Sequence, residues 1–288
     1  MVLMVVLCTV WGVQGVAVKL ANAGISPLWQ SGLRSLGAAL LVLAWARARG
    51  VRLWDADATW WPGLLAGLLF AAEFALLFRA LELIDASRAV IFLYTAPFFV
   101  ALGAVWLLPD ERMRRAQWLG MALAFAGIVV LFGENLFAPA RLSIAGDAMM
   151  LLAALFWGAT TLTVKATPLV RATPEKVLLY QLGVSAVVLP LLSLAFGEPR
   201  VFAASAVVWA SLAFQIVVIA STSYLTWFWL VRHYPATRLS SFSFLTPVMG
   251  VVAGVVLLDE PLTPALFAAL ALVGAGIWVA NRPAPRER

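Results

Sequence analysis

Long apolar runs separated by short polar connectors dominate the chain. A helix needs about 20 apolar residues to cross the roughly 30 Å hydrocarbon layer, because each residue advances about 1.5 Å. The runs are continuously apolar instead of alternating over about ten residues, which disfavours the strands of a membrane β-barrel. The pattern predicts an all-α integral membrane bundle of ten transmembrane helices, with approximate limits 2–20, 27–46, 60–80, 86–108, 116–133, 147–165, 174–196, 207–230, 236–257 and 264–281.

Composition agrees with a protein that lies almost entirely in the membrane. Of 288 residues, 64% are apolar and 12% are charged, and that charged fraction is about half of what a soluble domain carries. No basic stretch precedes the first run and no small-residue cleavage site follows it, so we interpret it as a structural helix and not as a signal peptide. The short connectors leave no room for a soluble domain.

Several function classes lack the residues that they need. The net charge of +6 is spread over short connectors, which argues against a nucleic-acid surface. Cys8 is the single cysteine and His233 the single histidine, and no zinc-protease, hydrolase or Walker motif occurs. The sequence therefore predicts a protein that is not an enzyme and has no metal ion, cofactor or nucleic-acid partner. A membrane-embedded enzyme and a channel or assembly subunit stay open as alternatives.

Lysines and arginines fall mainly on one side of the predicted spans. Fourteen of the 20 lie in connectors or tails on that side, and four lie on the other side, at Arg79, Arg88, Arg141 and Arg200. The positive-inside rule places the richer side in the cytoplasm, together with both termini. Termini on one side require an even number of spans, which agrees with the count of ten.

The second half of the chain repeats the first. Each half contains five runs, and because five is odd, the second copy must cross the membrane with inverted polarity. We assign the two repeats to 1–141 and 142–288. Inverted repeats are typical of transporters that hold a substrate near the midplane and alternate between two states. The matches, at shifts of 146 to 150 positions, include Trp11-Gly12 with Trp157-Gly158, Lys19 with Lys165, Pro27 with Pro174, Ala86-Ser87-Arg88 with Ala236-Thr237-Arg238, Pro97 with Pro247, and Asp110-Glu111 with Asp259-Glu260.

The order of motifs carries a family resemblance. The segments 86–132 and 236–281 each run Ala-[Ser/Thr]-Arg, an aromatic-rich helix, Pro, a small-residue helix, Asp-Glu and Ala-Gly-Ile. In this order the chain resembles the EamA-type repeat of the drug/metabolite transporter superfamily over essentially its whole length, and within that superfamily the aromatic amino acid exporters. It departs from them in having almost no cytoplasmic leader before the first run.

The resemblance implies a ten-helix transporter that exports amino acids, aromatic ones included, and related small metabolites across the bacterial inner membrane by alternating access. The two halves complete one carrier, so we expect a monomer whose partners are a small-molecule substrate and membrane lipid. Other cargo, such as nucleotide-linked sugars or drug-like cations, stays open. So do the direction of transport and the choice between proton exchange and downhill flow.

Two prolines are candidate hinges. Pro97 and Pro247 lie near the middle of their runs, where the ring removes a backbone donor and is expected to free the carbonyls of Leu93 and Ser243. In lipid, freed carbonyls need a partner, and a water-lined cavity supplies one. The alternative is that the kinks only shape helix packing.

Aromatic side chains are candidates for the wall of a substrate chamber. A wide, mostly apolar chamber suits amino acid side chains, although aromatic residues also serve in packing and at the membrane interface. The candidates are equivalent in the two repeats or share a helix face: Tyr94 with Phe244, Trp11 with Trp157, Phe74 with Phe78, and Tyr224 with Trp227.

Charged and polar side chains inside the runs are the remaining candidates. Glu73 lies about 20 Å from one end of its span and Arg34 about 10 Å from the opposite end of another, so an ion pair between them is expected. The functional alternative is that Glu73 attracts an ammonium group or exchanges a proton, and that Arg34 attracts a carboxylate. Neutral groups that can hold a zwitterion or join helices are Gln14, Gln30, Thr160, Gln181 and Ser243.

Residues at the helix ends are assigned less specific roles. Lys19 and Lys165 are equivalent in the two repeats, and both are expected to extend towards the lipid headgroups. Asp110-Glu111 and Asp259-Glu260 are expected to form solvated turns.

Overall fold

The protein is built from helices. The computed structural model describes residues 2–53, 57–84, 86–111, 113–133, 143–203, 205–258 and 263–281. The proposed repeat boundary at 141/142, the pair Asp259-Glu260 and residues 1 and 282–288 lie outside these ranges. The α-helices are α1 (Val2–Asn22), α2 (Pro27–Ala48), α3 (Trp60–Leu83), α4 (Ala86–Leu93), α5 (Ala96–Leu107), α6 (Arg115–Phe132), α7 (Ile144–Ala166), α8 (Pro174–Ala195), α9 (Ala206–Phe214), α10 (Tyr224–His233), α11 (Ala236–Phe242), α12 (Leu245–Leu258) and α13 (Pro264–Ala280).

Seven helical stretches in the described residues are long and apolar enough to cross a membrane. Their number and hydropathy confirm the prediction of an all-α, multi-pass membrane protein. They are Val2–Asn22, Trp60–Leu81, Arg88–Leu107, Arg115–Phe132, Ile144–Ala166, Pro174–Ala195 and Ala206–His233, and Pro264–Ala280 is a shorter apolar helix.

Two of the predicted runs are interrupted at equivalent places. A turn at Tyr94 and Thr95 separates α4 from α5, and a turn at 243–244 separates α11 from α12. Pro97 and Pro247 follow these turns in the first turn of the next helix, where a missing N–H costs little. The predicted kinks are therefore helix breaks. Contrary to the prediction, the Ser243 carbonyl is not free, because it accepts from the Thr246 N–H at 2.9 Å.

A π-helix interrupts the eighth run. It covers Gln215–Ser223, between α9 and α10. The hydroxyls of Ser221 and Thr222 donate to carbonyls five residues earlier, at 2.7 and 2.8 Å. Each π-type turn contains more residues than an α-turn, so the segment changes the direction in which the following residues point. Tyr224 directly follows it.

Contacts among connectors and helix ends define the two ends of the bundle. At one end Ile25 bridges to Val201, and Arg88 donates to the Asp147 carboxylate at 2.7 and 2.6 Å. We call this the Asn22 end, because α1 ends there. At the opposite end Lys165 binds Glu111 at 3.2 Å, and we call it the Lys165 end.

The first and last described residues both belong to the Lys165 end. Helix α1 begins there at Val2, since it ends at the Asn22 end. Asn281, which follows α13, accepts a hydrogen bond from Arg238 Nε at 2.7 Å. Arg238 lies two residues after Ala236, and the Ala236 N–H donates to Glu111 at 2.6 Å. Asn281 therefore also lies at the Lys165 end.

Helices α6 and α13 cross at small residues. A Cβ placed on Gly276 would lie 2.5 Å from both Gly120 O and Ala124 N. A Cβ on Gly127 would lie 2.8 Å from Val273 Cγ2 and 3.0 Å from Ala269 O. Early residues of α6 therefore face late residues of α13, so these two helices are antiparallel.

Candidate functional site

A cavity of about 1190 Å³ lies inside the bundle. Its walls come mainly from α1, α3, α7, α10 and α12, with smaller contributions from α4, α8 and the turn at Tyr94. The lining reaches the Asn22 end at Asn22, Ile84 and Phe132. Its size is in the upper part of the range for small-molecule sites.

Most of the residues predicted for the site line this cavity. They are Trp11, Gln14, Glu73, Phe74, Phe78, Tyr94, Trp157, Thr160, Gln181, Tyr224 and Trp227, together with the candidate hinge Pro247. Gln30, Arg34, Ser243, Phe244 and the other candidate hinge, Pro97, do not line it. The cavity thus gathers residues that lie as far apart in the chain as 11 and 247, but the substrate-binding role of each residue stays a prediction.

Aromatic rings pack edge to face around the cavity. Trp11 meets Trp227 at 5.6 Å between ring centroids, and Tyr94 meets Trp157 at 5.8 Å. The indole N–H of Trp11 donates to Ser223 Oγ at 2.8 Å. This bond fixes the Trp11 ring, because a buried indole needs a hydrogen-bond acceptor. The wall is therefore partly built from aromatic rings that pack against one another.

The two charged residues predicted for the site lie in different environments. Glu73 lines the cavity and is 8% exposed. Arg34 is 1% exposed and does not line it. The expected ion pair is not formed, since no Arg34 nitrogen comes within 4.0 Å of a Glu73 oxygen. The guanidinium instead lies 4.3 Å from the centroid of the Phe74 ring and donates to Ser31 Oγ at 3.3 Å.

The neutral polar groups of the cavity are partly engaged within their own helices. Thr160 donates to Phe156 O at 2.8 Å, and Gln181 Nε2 donates to Val177 O at 3.4 Å. Gln181 Oε1 is buried without a partner, so it is an acceptor available beside the cavity. Within the described part of the chain, no three His, Cys, Asp or Glu side chains are grouped to hold a metal ion.

The predicted residues outside the cavity have packing partners. Gln30 donates to Gln215 Oε1 at 3.1 Å, which links α2 to the π-helix, and Ser243 donates to Ser240 O at 2.6 Å. The Phe244 ring packs with Phe98 at 6.0 Å in a separate aromatic cluster. Although Phe244 is equivalent to Tyr94 in the repeat, it does not line the cavity. Tyr94 packs against the cavity residue Trp157, whereas Phe244 packs against Phe98.

Several residues that line the cavity were not predicted from the sequence. Phe70 lies one turn before Phe74 on the same helix face and meets it at 4.8 Å, so the spacing of Phe70, Phe74 and Phe78 was an available signal. Thr246 adjoins Pro247 and also lines the cavity. Asn22 and Phe132 lie at helix ends, where no sequence pattern indicates that the cavity reaches so far.

The Lys165 end is held together by a buried charge. Lys165 Nζ donates to Val231 O and Tyr234 O, each at 2.8 Å, and binds Glu111 at 3.2 Å. The Lys165 and Glu111 side chains are 11% and 14% exposed. The expectation that Lys165 extends to the headgroups is therefore wrong, and so is that of a solvated turn at Glu111. We call Lys165, Glu111 and their three backbone partners, at Val231, Tyr234 and Ala236, the Lys165 latch.

A second ion pair lies near the same end, before α3. Lys176 Nζ binds Asp57 Oδ2 at 2.8 Å, and Asp57 also accepts from the Thr59 hydroxyl and N–H. The hydrogen bond from Lys176, helped by those from Thr59, lowers the pKa of Asp57 to about 2. Asp57 is therefore charged at neutral pH and ties the α2–α3 connector to α8.

Proteins of related sequence are transporters by name. The chain is 29% identical to the "Uncharacterized transporter YvbV" of Bacillus subtilis, over 99% of this chain and 92% of that protein. It is 27% identical to the "Probable amino-acid metabolite efflux pump" of Salmonella typhimurium, over 94% and 90%. The protein of the same name from Escherichia coli is 25% identical, over 96% and 93%.

A solved structure and a family model both match nearly the whole chain. A solved crystal structure of 24% sequence identity superposes with a TM-score of 0.84 and covers 97% of this chain and 96% of the other. The family model described as "EamA-like transporter family" matches twice, at residues 1–133 and 144–282. The chain thus belongs to the EamA-like transporter family of the drug/metabolite transporter superfamily and is a multi-pass membrane transporter.

Proposed function

We propose that this transporter exports amino acids and related small metabolites across the bacterial inner membrane by alternating access between two inverted five-helix halves. The observation that carries the proposal is the cavity itself. It is lined by aromatic rings and one carboxylate, reaches one end of the bundle, and faces a charged latch at the other.

The contacts between α6 and α13 support two inverted halves. At the repeat shift of 149 positions, Gly127 is equivalent to Gly276, Gly120 to Ala269 and Ala124 to Val273. Gly127 approaches Ala269 and Val273, and Gly276 approaches Gly120 and Ala124, so each contact has its reciprocal. Reciprocal contacts arise from a two-fold axis, and in an antiparallel pair that axis runs across the helices.

A second pair of contacts supports the same axis. Gly12 of α1 approaches Thr246 O and Gly250 N of α12, at 3.0 and 2.6 Å from its added Cβ. Its equivalent Gly158, on α7, approaches Ala96 O and Val100 N of α5, at 3.5 and 3.4 Å. Each contact joins the first half to the second, so the interface repeats itself with the halves exchanged.

Ten spans require three more helical segments than the seven that pass by length and hydropathy. The additional ones are α2, the interrupted pair α11–α12, and α13. With ten spans, the positive-inside rule supports a cytoplasmic Lys165 end and an outer Asn22 end. The structure then corresponds to an outward-open state.

The Lys165 latch fits the role of a cytoplasmic gate. Lys165 comes from the second half and Glu111 from the first, and the partners Val231, Tyr234 and Ala236 come from the ends of α10 and α11. A rocking motion of one half against the other separates these groups. The open state must then hydrate both charges, which makes the gate a two-state element.

The lining favours a substrate with an amine and an apolar or aromatic side chain. Glu73 is the carboxylate on the cavity wall and has no ion-pair partner within 4.0 Å in the described residues. Aromatic faces attract both apolar groups and cations. Two of the related proteins bear the name amino-acid metabolite efflux pump, which agrees with such a substrate.

Counterflow in proteoliposomes tests the proposal. Vesicles loaded with unlabelled phenylalanine are expected to accumulate labelled phenylalanine through the wild-type protein and to saturate. Glu73→Gln should reduce this exchange about tenfold or more, because a charged hydrogen bond is lost. The matched control is Glu175→Gln, at the start of α8 outside the cavity, which should retain exchange.

Repeating counterflow with and without a pH gradient separates proton exchange from downhill flow. Saturable exchange of amines and sugars without exchange of any amino acid would contradict the substrate assignment. Unsaturable flux would contradict the carrier mechanism.

A further inference from the structure

Arg34 is a buried cation with unused hydrogen-bond donors. Its Nε and Nη1 atoms are buried and have no hydrogen-bond partner, and its one bond goes to Ser31 Oγ. The guanidinium of arginine stays protonated in proteins. A charged group inside a membrane helix that lacks a counter-ion is costly and marks a functional site by default. These two nitrogen atoms, which carry three N–H groups, thus form an incomplete anion site.

The Phe74 ring connects this cation to the cavity wall. The ring contacts the guanidinium on one side, at 4.3 Å, and Phe74 lines the cavity. A phenylalanine side chain moves by rotation between a few staggered positions, and the cavity of about 1190 Å³ offers the space for such a rotation. Such a rotation would uncover the face of the guanidinium that the Phe74 ring now contacts.

We propose that Arg34 is a carboxylate subsite of the transport cavity and that Phe74 is its movable cover. The ligand class is an organic carboxylate whose remainder fits the aromatic chamber. Arginine suits this role, because its planar fork donates two parallel hydrogen bonds to a carboxylate. The Phe74 ring holds the charge by a cation–π contact until the carboxylate replaces it.

The position of Glu73 extends the subsite to a zwitterion, and this extension rests on the proposed function. Glu73 precedes Phe74 in the chain and lines the cavity, and Arg34 lies against the Phe74 ring, so an acidic and a basic side chain both lie next to the cover. An α-amino acid carries its ammonium and carboxylate groups on one carbon. Such a ligand satisfies Glu73 directly and Arg34 once Phe74 has moved, whereas a simple amine satisfies Glu73 alone.

Binding of two half-ligands to the purified full-length protein tests the subsite. Benzoate has the carboxylate without the amine, and benzylamine has the amine without the carboxylate. The tryptophans of the wall, such as Trp11 and Trp157, report binding through their fluorescence. Arg34→Gln should weaken benzoate binding about tenfold or more and leave benzylamine binding within about twofold. Glu73→Gln should do the reverse.

Matched variants separate the subsite from a general loss of charge. Arg79→Gln is the control, because Arg79 also lies on an aromatic ring, 4.7 Å from the centroid of Phe196, but does not line the cavity. It should bind both ligands like the wild type. Phe74→Ala should strengthen benzoate binding severalfold, because the ligand no longer pays for moving the cover.

Three results would overturn the subsite: no benzoate binding to the wild type, equal benzoate binding by Arg34→Gln and Arg79→Gln, or weaker benzoate binding by Phe74→Ala. If Arg34→Gln does not fold, Arg34→Lys keeps the charge but not the fork, and is expected to lose most of the benzoate affinity. Failure of the proposed function is separate, since it appears as absent phenylalanine counterflow in a protein that still binds benzoate through Arg34.

Discussion

The two ends of the bundle both carry ion pairs between the halves, yet the cavity reaches only one of them in the described residues. At the Asn22 end, Arg88 and Asp147 join α4 to α7 beside the cavity, and the lining still extends to Asn22, Ile84 and Phe132. At the Lys165 end, one ammonium group gathers three segments of chain. The comparison indicates that an ion pair between two neighbouring helices is compatible with an open cavity. We propose that the Lys165 latch, which joins the ends of several helices, closes the cavity at its own end.

The largest effect is expected from Glu111→Gln, which removes the carboxylate from the Lys165 latch. Breaking a largely buried pair costs about 3 kcal/mol, so the ratio of states should shift on the order of a hundredfold towards opening at the Lys165 end. In a Cys8→Ala background, a cysteine at Phe228, on the cavity wall, should react much faster with a maleimide added from that side.

The control at the other end is Asp147→Asn, which removes the partner of Arg88. It should not increase labelling from the Lys165 side. If Glu111→Gln leaves the labelling rate unchanged, or if Asp147→Asn raises it equally, the latch is not a gate.

The next largest effect is expected from a substitution between the two ends, where α1 contacts α12. A Cβ on Gly12 would lie 2.6 Å from Gly250 N, which belongs to the backbone, while a Cβ on Gly15 would have no atom within 4 Å. Gly12→Ala should therefore lower the free energy of unfolding by about 2 kcal/mol through overpacking. Gly15→Ala, on the same helix, should be neutral or slightly stabilising because alanine favours the helix. Thermal unfolding of both variants compares them, and equal midpoints would show that the two helices do not meet at Gly12.

The smallest effect is expected from the ion pair between Asp57 and Lys176, in which the carboxylate is exposed and the lysine is buried. The pKa of Asp57 is about 2 in the folded protein, below its ordinary value of 3.8. A lowered carboxyl pKa stabilises the folded state above the ordinary pKa, and this stabilisation is lost as the pH falls through the folded value. The difference in melting temperature between the wild type and Asp57→Asn should be constant above about pH 5 and shrink towards pH 2. A difference that grows on acidification would contradict the pairing with Lys176.

The helices and the faces that their residues share are the features that the sequence predicts most directly. Apolar length predicts membrane helices, and rings spaced by one turn, such as Phe74 and Phe78, share a face whatever they pack against. The repeat indicated that Trp11 and Trp157 are equivalent, and both line the cavity. These features depend on local geometry, which a single chain segment already contains.

Features that depend on the approach of distant segments were not predictable in this way. The positions of Glu73 and Arg34 along their helices predict how deep each lies in the membrane. They do not predict that the Phe74 ring covers the Arg34 guanidinium. The partners of Lys165 are backbone carbonyls at Val231 and Tyr234, which carry no sequence signal. Phe244 was predicted to line the cavity but packs against Phe98 of α5 instead, a contact between distant segments that the sequence does not reveal.

Distance measurements at both ends test the alternation between halves most directly. Spin labels on exposed residues, at Ala23 and Ile144 for the Asn22 end and at Asp110 and Tyr234 for the Lys165 end, give one distance for each end in separate samples. Saturating substrate should shift the two distance distributions in opposite directions, the first towards shorter and the second towards longer values. Two distances that stay fixed, or that lengthen together, would contradict reciprocal opening of the two ends.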